Sequence, residues 1–506
     1  MEKLSTSTFE DREKQHNSID IPSTQDHSAH SDAARGLVDG SAPPDPALMR
    51  RAWMKLDLWL LPVVTMFYFL SFLDRTNLGN ARVAGLQKDL KLTNHQYSIA
   101  LTVTYIPYIL AELPSNLLLR VIGPNLLLPT LLTLWGVVTT LQGLVTSYKG
   151  LLAARFFLGL FEGGVFPGLV LYLSFFYPRH MLQWRISIFF SAASLSAAFS
   201  GLLAFGLIKL HGLGGRPGWA WIFLLEGLFT VLFGLCAFAL LPRSPAHARF
   251  LSAGEKACVH EALRRDGAVA GAEEEGFRWR EVREAFRSVH VWILGVVFFL
   301  DGTVLYGLAY FAPSIVQGLG YTASKAQLMT VPPFAAAFVV ALLGAYVSDR
   351  YRCRGPVAIF ACLLCTIGFS MFLVSERHTI QYASLFFSIP GTYLSAPTLS
   401  TWCANNSAPL TRRATAIAIS FVLTNSGGIL ATWLLGSLSA APRYEGATKV
   451  MLGMAVGMAV LCVGNWGWLW RENGRKARVR RDLGSGGREE EEKGLGDRSA
   501  WFEYAL

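Results

Sequence analysis

The amino-acid sequence predicts an all-α integral membrane protein with about twelve transmembrane helices in two bundles of six. Three observations support this fold class. Of the 506 residues, 52% are apolar and only 16% are charged. The mean hydropathy is +0.37. Apolar runs of about twenty residues, the length at which a helix crosses the hydrocarbon core of a bilayer, recur at short intervals along the chain.

The apolar runs follow one another in two sets of six, which a long polar segment separates. In order, they cover residues 56–80, 95–119, 124–146, 149–174, 185–209, 219–241, 290–315, 325–348, 356–374, 381–404, 412–438 and 447–470. We therefore expect an amino-terminal bundle at residues 51–241, an inter-bundle loop at 242–289 and a carboxyl-terminal bundle at 290–470.

Polar sequence of low complexity lies at both ends of the chain. Residues 1–50 are rich in Ser, Asp, His and Pro, and residues 471–506 are charged and Gly-rich, so we expect both segments to be disordered. Within the loop, the stretch at 277–290 (FRWREVREAFRSVH) has the amphipathic, basic pattern of a helix at a membrane surface. Basic residues concentrate in the loops on the side of the two chain ends, which predicts that both termini are cytoplasmic.

Several function classes are excluded by composition and motifs. The formal net charge is +10, but the basic residues stand at the ends of apolar runs and not in one patch, which argues against nucleic-acid binding. Cys362 and Cys365 have the CxxC form but lie in an apolar run without a nearby histidine. The sequence has no GxxxxGK[ST], GxSxG or HExxH motif. We expect no metal, no cofactor and no enzymatic activity.

The fourth predicted span carries two charges, in the sequence ARFFLGLFEGGVFPGLVLY (154–172). Arg155 and Glu162 are seven residues apart, almost two helical turns, so they lie on one face with Gly159 between them. A charge at bilayer depth costs from a few to more than ten kcal/mol by different estimates. Two interpretations stay open: a structural tie between helices, or a face that binds an anion and couples its movement to protons.

The first predicted span ends in FLDRTNLGNARVAGL (72–86), which contains Asp74 and Arg75. Taking the first span outward and the fourth inward places Arg75 and Arg155 at similar depth, with Glu162 about 10 Å deeper. Two guanidinium groups at one level would suit a carboxylate, and Glu162 could take up a proton. The alternative is that Asp74 and Arg75 lie at the outer water interface.

These motifs together resemble the anion:cation symporter branch of the major facilitator superfamily. Within that branch the chain is most similar to the fungal allantoate permease-like group, which includes carriers of nicotinate and other vitamins. Matching stretches include YIPYILAELPSN, RFFLGLFEGGVFPG, WIFLLEGLFT, GLGYTASKAQLMTVPP and WCANNSAPLTRRATAIAISFVLTNSGGI. The resemblance implies two six-helix bundles around a central cavity. It also implies that Arg75 and Arg155 hold the substrate anion and that Glu162 couples protons.

The resemblance extends to a gating loop. GAYVSDRYRCRG (344–355) is similar to the cytoplasmic gating loop of the superfamily, which implies gating roles for Asp349, Arg350 and Arg354. Its counterpart in the first half, PSNLLLRVIG (114–123), has Asn116 where an acid is common and keeps Arg120. Glu112, in the second span, is a structural or gating candidate.

Other candidates rest on position alone. Asp301 lies in the middle of the seventh span, so it is a second proton-coupling candidate, as is Asp74, or else a packing carboxyl bonded to a neighbouring hydroxyl. Tyr306 and Trp402 could stack on a flat ring of the substrate, and Asn425 could bond to it, although packing between helices explains such residues too.

The sequence thus predicts a proton-coupled secondary transporter of a small organic anion, such as a vitamin or ureide carboxylate, working by alternating access. The alternatives are an uncoupled facilitator or exporter of a metabolite and a transporter-like nutrient sensor. We expect a monomer in the lipid bilayer of the plasma membrane, with the vacuolar membrane as the alternative.

Overall fold

The structure, a computed structural model, describes residues 46–265, 279–436, 439, 444–483 and 496–506. Within these ranges the regular secondary structure is helical, with no strand. The α-helices are α1 (Pro46–Val83), α2 (Leu86–Asp89), α3 (Asn94–Ile122), α4 (Pro124–Gln142), α5 (Tyr148–Glu162), α6 (Val165–Ser174), α7 (Arg179–Leu207), α8 (Gly218–Leu240), α9 (Ala253–Arg265), α10 (Trp279–Arg287), α11 (Val289–Gly318), α12 (Ala323–Tyr351), α13 (Arg354–Val374), α14 (His378–Asn405), α15 (Leu410–Gly436) and α16 (Glu445–Leu483).

The predicted fold class is confirmed. Among the described residues, nine helices are long and apolar enough to cross a membrane: α1, α4, α7, α8, α11, α12, α13, α15 and α16. The other three predicted spans correspond to α3, to α5 followed by α6, and to α14, which carry more polar residues, prolines or a break. We call the face that holds Pro46 and Leu483 the terminal face, and the face that holds Val83 the distal face.

Two groups of helices pack against each other chiefly along three pairs. Within the first group α4 lies along α8 and α1 along α7, and within the second α11 lies along α15 and α13 along α14. Between the groups, α1 packs on α11, α7 on α12 and α3 on α15. At the first of these crossings a Cβ added to Gly79 would lie 2.2 Å from the carbonyl oxygen of Tyr310, so the two backbones can meet only at a glycine.

The fourth predicted span is two helices and not one. It is broken into α5 and α6 at Gly163 and Gly164. Pro167 follows one turn later and has no N–H to donate to the carbonyl of Gly163, which explains why the chain turns here. In α5, one turn before the break, a Cβ added to Gly159 would lie 2.0 Å from the carbonyl oxygen of Thr104, so α5 packs tightly on α3.

The expectation of disorder at the chain ends is wrong where the structure describes them. Residues 46–50 form the first turn of α1, α16 continues to Leu483, and residues 496–506 pack on the terminal face. Residues 1–45 and 484–495 of the predicted disordered ends lie outside the described residues, as do residues 266–278 of the inter-bundle loop. That loop contributes α9 and α10, and α10 falls inside the stretch predicted to form a surface helix.

The carboxyl-terminal segment 496–506 is bound through both side chains and backbone. Arg412, at the start of α15, donates Nη1 to Asp497 Oδ1 and Nη2 to Glu281 Oε2 of α10, the latter at 2.6 Å. Asn406 and Ala505 exchange two hydrogen bonds of 2.7 and 3.0 Å. Burial raises the pKa of the Asp497 carboxyl, and the Arg412 guanidinium opposes that rise. The segment thereby joins α10 to α15.

Candidate functional site

Arg75 stands at the centre of a buried polar cluster between the two groups of helices. Its Nε and Nη2 lie 3.0 and 2.9 Å from Glu162 Oε1. Its Nη1 donates to the hydroxyl of Tyr306 at 2.7 Å, and that hydroxyl donates to Asn425 Oδ1 at 3.3 Å. One guanidinium therefore joins α1 to α5 in the first group and to α11 and α15 in the second.

The expected depth of Glu162 is corrected by this pairing. Sequence reasoning placed Arg75 level with Arg155 and Glu162 about 10 Å below them. Glu162 is instead bonded to Arg75, so these two residues lie at the same depth. Arg155 precedes Glu162 by seven residues and therefore lies about 10 Å of helical rise nearer the distal face. Counting residues from the span ends therefore gave the wrong register for Glu162.

Arg155 is buried, and two of its guanidinium nitrogens have no hydrogen-bond partner among the described residues. Its side chain lies in the protein interior, with 3% of the residue exposed. Neither Nε nor Nη2 has a hydrogen-bond partner among the described residues. These two atoms form the edge of the guanidinium that usually grips a carboxylate with two parallel hydrogen bonds. Asp74, Glu162 and Tyr310 lie within electrostatic range of this group without being bonded to those two nitrogens.

Asp74 faces away from the Arg75 cluster. Its Oδ2 accepts hydrogen bonds from Trp135 Nε1 and, at 3.1 Å, from Thr139 Oγ1, both on α4. The adjacent positions of Asp74 and Arg75 in the chain point them to different neighbours, as expected for a helix. Asp74 is thus satisfied inside the first group of helices.

A second polar chain starts on α1, and its pairing was not predicted from the sequence. Asn77 Nδ2 donates to Glu226 Oε2 on α8, and Asn77 Oδ1 accepts from the hydroxyl of Ser200 on α7 at 2.8 Å. Ser71, also missed, donates to Glu162 Oε1 at 2.5 Å. Ser71 lies four residues before Arg75, so helical spacing alone could have placed it on the same face.

The distal ends of the two groups are hydrogen-bonded to each other. Ser98 Oγ donates to the carbonyl oxygen of Thr432 at 3.0 Å, and the hydroxyls of Tyr105 and Tyr310 lie 3.1 Å apart. The rings of Tyr306 and Tyr310 stack with centroids 6.2 Å apart. A layer of tyrosines therefore covers the Arg75 cluster on its distal side.

Two of the candidate residues in the second half lie outside this cluster. Asp301 Oδ1 accepts from the hydroxyl of Ser395 on α14, which is the packing arrangement considered as the alternative for this residue. Its Oδ2 is buried without a hydrogen-bond partner among the described residues. For Trp402 the expected place beside the substrate is corrected. Its Nε1 donates to the carbonyl oxygen of Ala505 at 2.9 Å, so Trp402 packs on the carboxyl-terminal segment and not on the Arg75 cluster.

The gating candidates of the second half lie on the terminal face. Arg354 donates Nη2 to Asp349 Oδ1 and Nη1 to the hydroxyl of Ser348 at 2.9 Å, while Arg350 is exposed. Arg354 also donates its backbone N–H to the carbonyl oxygen of Leu506 at 2.8 Å. In the first half, Glu112 Oε2 is buried and has no partner among the described residues. The side chains of Asn116 and Arg120 lie outside the described part of the structure.

The arrangement of the buried arginines defines a class of protein. A bundle of apolar helices buries one paired and one unpaired arginine at the seam between two groups. Within the described residues, no group of three side chains could hold a metal ion. Such a seam is where secondary transporters of this architecture bind their substrates.

Residues 64–432 match the family described as Major Facilitator Superfamily. The chain belongs to this superfamily and is a membrane transporter, not an enzyme. It is 33% identical to an uncharacterized transporter of Schizosaccharomyces pombe over 453 residues, which cover 89% of each chain. It is 31% identical to a high-affinity nicotinic acid transporter of Saccharomyces cerevisiae over 442 residues, which cover 87% of this chain and 82% of that one.

Solved structures share the fold. A bacterial homologue of the human lysosomal transporter Spinster, in an inward-facing and unoccupied conformation, superposes with a TM-score of 0.63. The match covers 80% of this chain and 95% of that chain at 17% sequence identity, so the likeness concerns the fold alone.

Proposed function

We propose that the protein is a proton-coupled symporter that carries a small organic anion by alternating access. The open bidentate edge of buried Arg155 carries this proposal. A buried guanidinium without a partner is costly, and a carboxylate guest would remove that cost with two charge-assisted hydrogen bonds. The similarity to a nicotinic acid transporter supports a vitamin carboxylate as the substrate. A ureide carboxylate and placement in the allantoate permease-like group of the anion:cation symporters are proposed on the sequence motifs alone.

Glu162 is the proposed coupling acid. In the structure it holds Arg75 through one carboxyl oxygen, which also accepts from Ser71. A proton on Glu162 removes its negative charge, so Arg75 becomes available to the substrate anion. Tyr306 and Asn425, from the opposite group of helices, are bonded to Arg75 through one hydroxyl, so release of Arg75 loosens a contact between the groups. Binding and proton uptake thereby favour the conformational change together.

The topology proposal follows from the distribution of basic residues. With the terminal face in the cytoplasm, both chain ends, the gating candidates and the 242–289 loop lie on the cytoplasmic side. The two bodies that move against each other in alternating access would be the bundles at residues 51–241 and 290–470. We propose that the monomer is the working form and that it resides in the plasma membrane, with the vacuolar membrane as the alternative.

Uptake into proteoliposomes tests the function. Purified protein is reconstituted, and labelled nicotinate, allantoate and pantothenate are offered with and without an inward proton gradient. Accumulation of one carboxylate above its external concentration, only with the gradient, is the expected result. Flux that ignores the gradient would indicate a facilitator, and saturable binding without flux would indicate a sensor.

A further inference from the structure

A third arginine of the first group lines a cavity on the distal face. The cavity has a volume of about 350 Å³, enough for a small ligand. Its walls come from both groups of helices: the end of α1, the short helix α2, the end of α11 and the residue before α16. They are formed by Arg82, Val83, Gln87, Ser314, Gln317, Gly318 and Tyr444. Of these described wall residues only Arg82 is charged, so the cavity carries a positive charge.

Arg82 is held rigidly with one donor to spare. Its Nε donates to Gln87 Oε1 at 2.8 Å and its Nη2 to Asn94 Oδ1 at 3.2 Å. The guanidinium carbon lies 4.5 Å from the ring centroid of Tyr97 and 5.3 Å from that of Phe311. The remaining nitrogen, Nη1, is buried and has no hydrogen-bond partner among the described residues. Such a fixed donor binds an anion with little loss of side-chain entropy.

The position of Arg82 relates it to the two buried arginines, Arg75 and Arg155. It lies seven residues after Arg75 on α1, which is almost two turns, so both lie on one face about 10 Å apart. Tyr97 contacts Arg82 through its ring and lies within electrostatic range of Arg155. Arg82 and Arg155 therefore stand at similar depth, each about two turns nearer the distal face than Arg75, but Arg82 lines the cavity whereas Arg155 is enclosed in the protein interior. The pair of Tyr105 and Tyr310 closes the way to Arg75.

We propose that this cavity is a staging site that captures a carboxylate on the distal face before it reaches Arg155. Arg82 supplies the positive charge, and Ser314 and Gln317 supply neutral donors beside it. The choice of a carboxylate rests on the proposed function, whereas the presence of an anion site rests on the cavity itself.

Charge-selective labelling tests the site without requiring transport. Ser314→Cys is introduced after Cys236 and Cys353, the two free cysteines that are not buried, are replaced by serine. The probes are 2-sulfonatoethyl methanethiosulfonate, an anion, and 2-trimethylammonioethyl methanethiosulfonate, a cation. We expect the ratio of anion to cation labelling rates to fall about tenfold in Arg82→Gln, because a positive site concentrates anions. Arg82→Lys should keep the ratio.

The matched control is Arg377→Gln, which removes an exposed arginine between α13 and α14 on the same face. Equal ratios in Arg82→Gln and Arg377→Gln would overturn the proposal. If Arg82→Gln does not fold, the test uses the Ser314→Cys protein that keeps Arg82. Added salt screens the charge of Arg82, so it should bring the ratio of anion to cation labelling rates toward the ratio measured for a small thiol in solution. A ratio that ignores salt would then contradict the proposal.

Protection by a carboxylate separates this site from the central one. Nicotinate should protect the thiol introduced by Ser314→Cys from labelling even when Arg155→Gln has removed the central site. Protection that disappears in Arg155→Gln would mean one site and not two. An inactive carrier in the uptake assay leaves the labelling ratio unaffected, so the two proposals fail separately.

Discussion

Arg75 and Glu162 form a buried ion pair in which two nitrogens of the guanidinium share one carboxyl oxygen, at 2.9 and 3.0 Å. The same oxygen accepts from Ser71, so it is the acceptor for three donors. A proton on the carboxyl removes the charge that holds Arg75. Because Arg75 also donates to Tyr306 across the seam, protonation of Glu162 and contact between the halves are linked through one side chain.

Glu162→Gln tests this link. The amide imitates the protonated carboxyl but cannot gain or lose a proton. We expect exchange of labelled for unlabelled substrate to continue, whereas accumulation driven by a proton gradient is lost. Both are measured in proteoliposomes loaded with and without internal substrate.

Asp301→Asn is the matched control for Glu162→Gln, since it also replaces a buried acid by its amide but lies against Ser395 and not against Arg75. It should retain proton-driven accumulation. If Glu162→Gln still accumulates substrate and Asp301→Asn does not, the coupling acid is Asp301.

Arg155→Lys tests the open bidentate edge. Lysine keeps the positive charge but offers a single ammonium group in place of two parallel donors. We expect the initial rate of uptake to fall at least tenfold, since loss of about 1.4 kcal/mol of binding already gives a factor of ten. Arg377→Lys, the same change on the exposed distal surface, should leave uptake unchanged. Uptake near that of the unsubstituted protein in Arg155→Lys would mean that Arg155 serves packing alone.

The fold class and the charged residues of the seam were predictable from sequence, and the reason is energetic. An arginine or glutamate inside an apolar run is costly in lipid, so Arg75, Arg155 and Glu162 had to face protein. Their partners were not predictable. Pairing depends on where each helix lies along the bundle and how it is rotated, and counting residues from the span ends placed Glu162 two turns from Arg75.

The carboxyl-terminal segment shows a second limit of sequence reasoning. Its charged, Gly-rich composition favours disorder, yet residues 496–506 bind the terminal face. The contacts that hold it come from residues far away in the chain. The indole of Trp402 and the amide of Asn406 both bond to Ala505, about a hundred residues later. No local sequence pattern in either segment predicts such a pairing.

Tyr306→Phe tests the bond across the seam. It removes the hydroxyl that accepts from Arg75 Nη1 and donates to Asn425. A hydrogen bond to a charged group contributes roughly 1.5–3 kcal/mol, so we expect a lower melting temperature of the purified protein. Tyr393→Phe is the control, because the buried hydroxyl of Tyr393 has no partner among the described residues. Equal melting temperatures for the two variants would contradict the contribution of this bond.

Arg412→Gln tests how the carboxyl-terminal segment is held. Arg412 is bonded to Glu281 of α10 and to Asp497, and all three side chains are at most 8% exposed. Removing one member of a buried ionic group leaves the others without compensation, at a cost of roughly 3–5 kcal/mol. We therefore expect residues 496–506 to detach, so that trypsin cleaves after Arg498 at least ten times faster, as followed by mass spectrometry. Arg475→Gln removes the exposed pair with Glu472, which is worth little, and should not change that rate. Cleavage of Arg412→Gln at the unsubstituted rate would show that the aromatic and backbone contacts hold the segment without this ion pair.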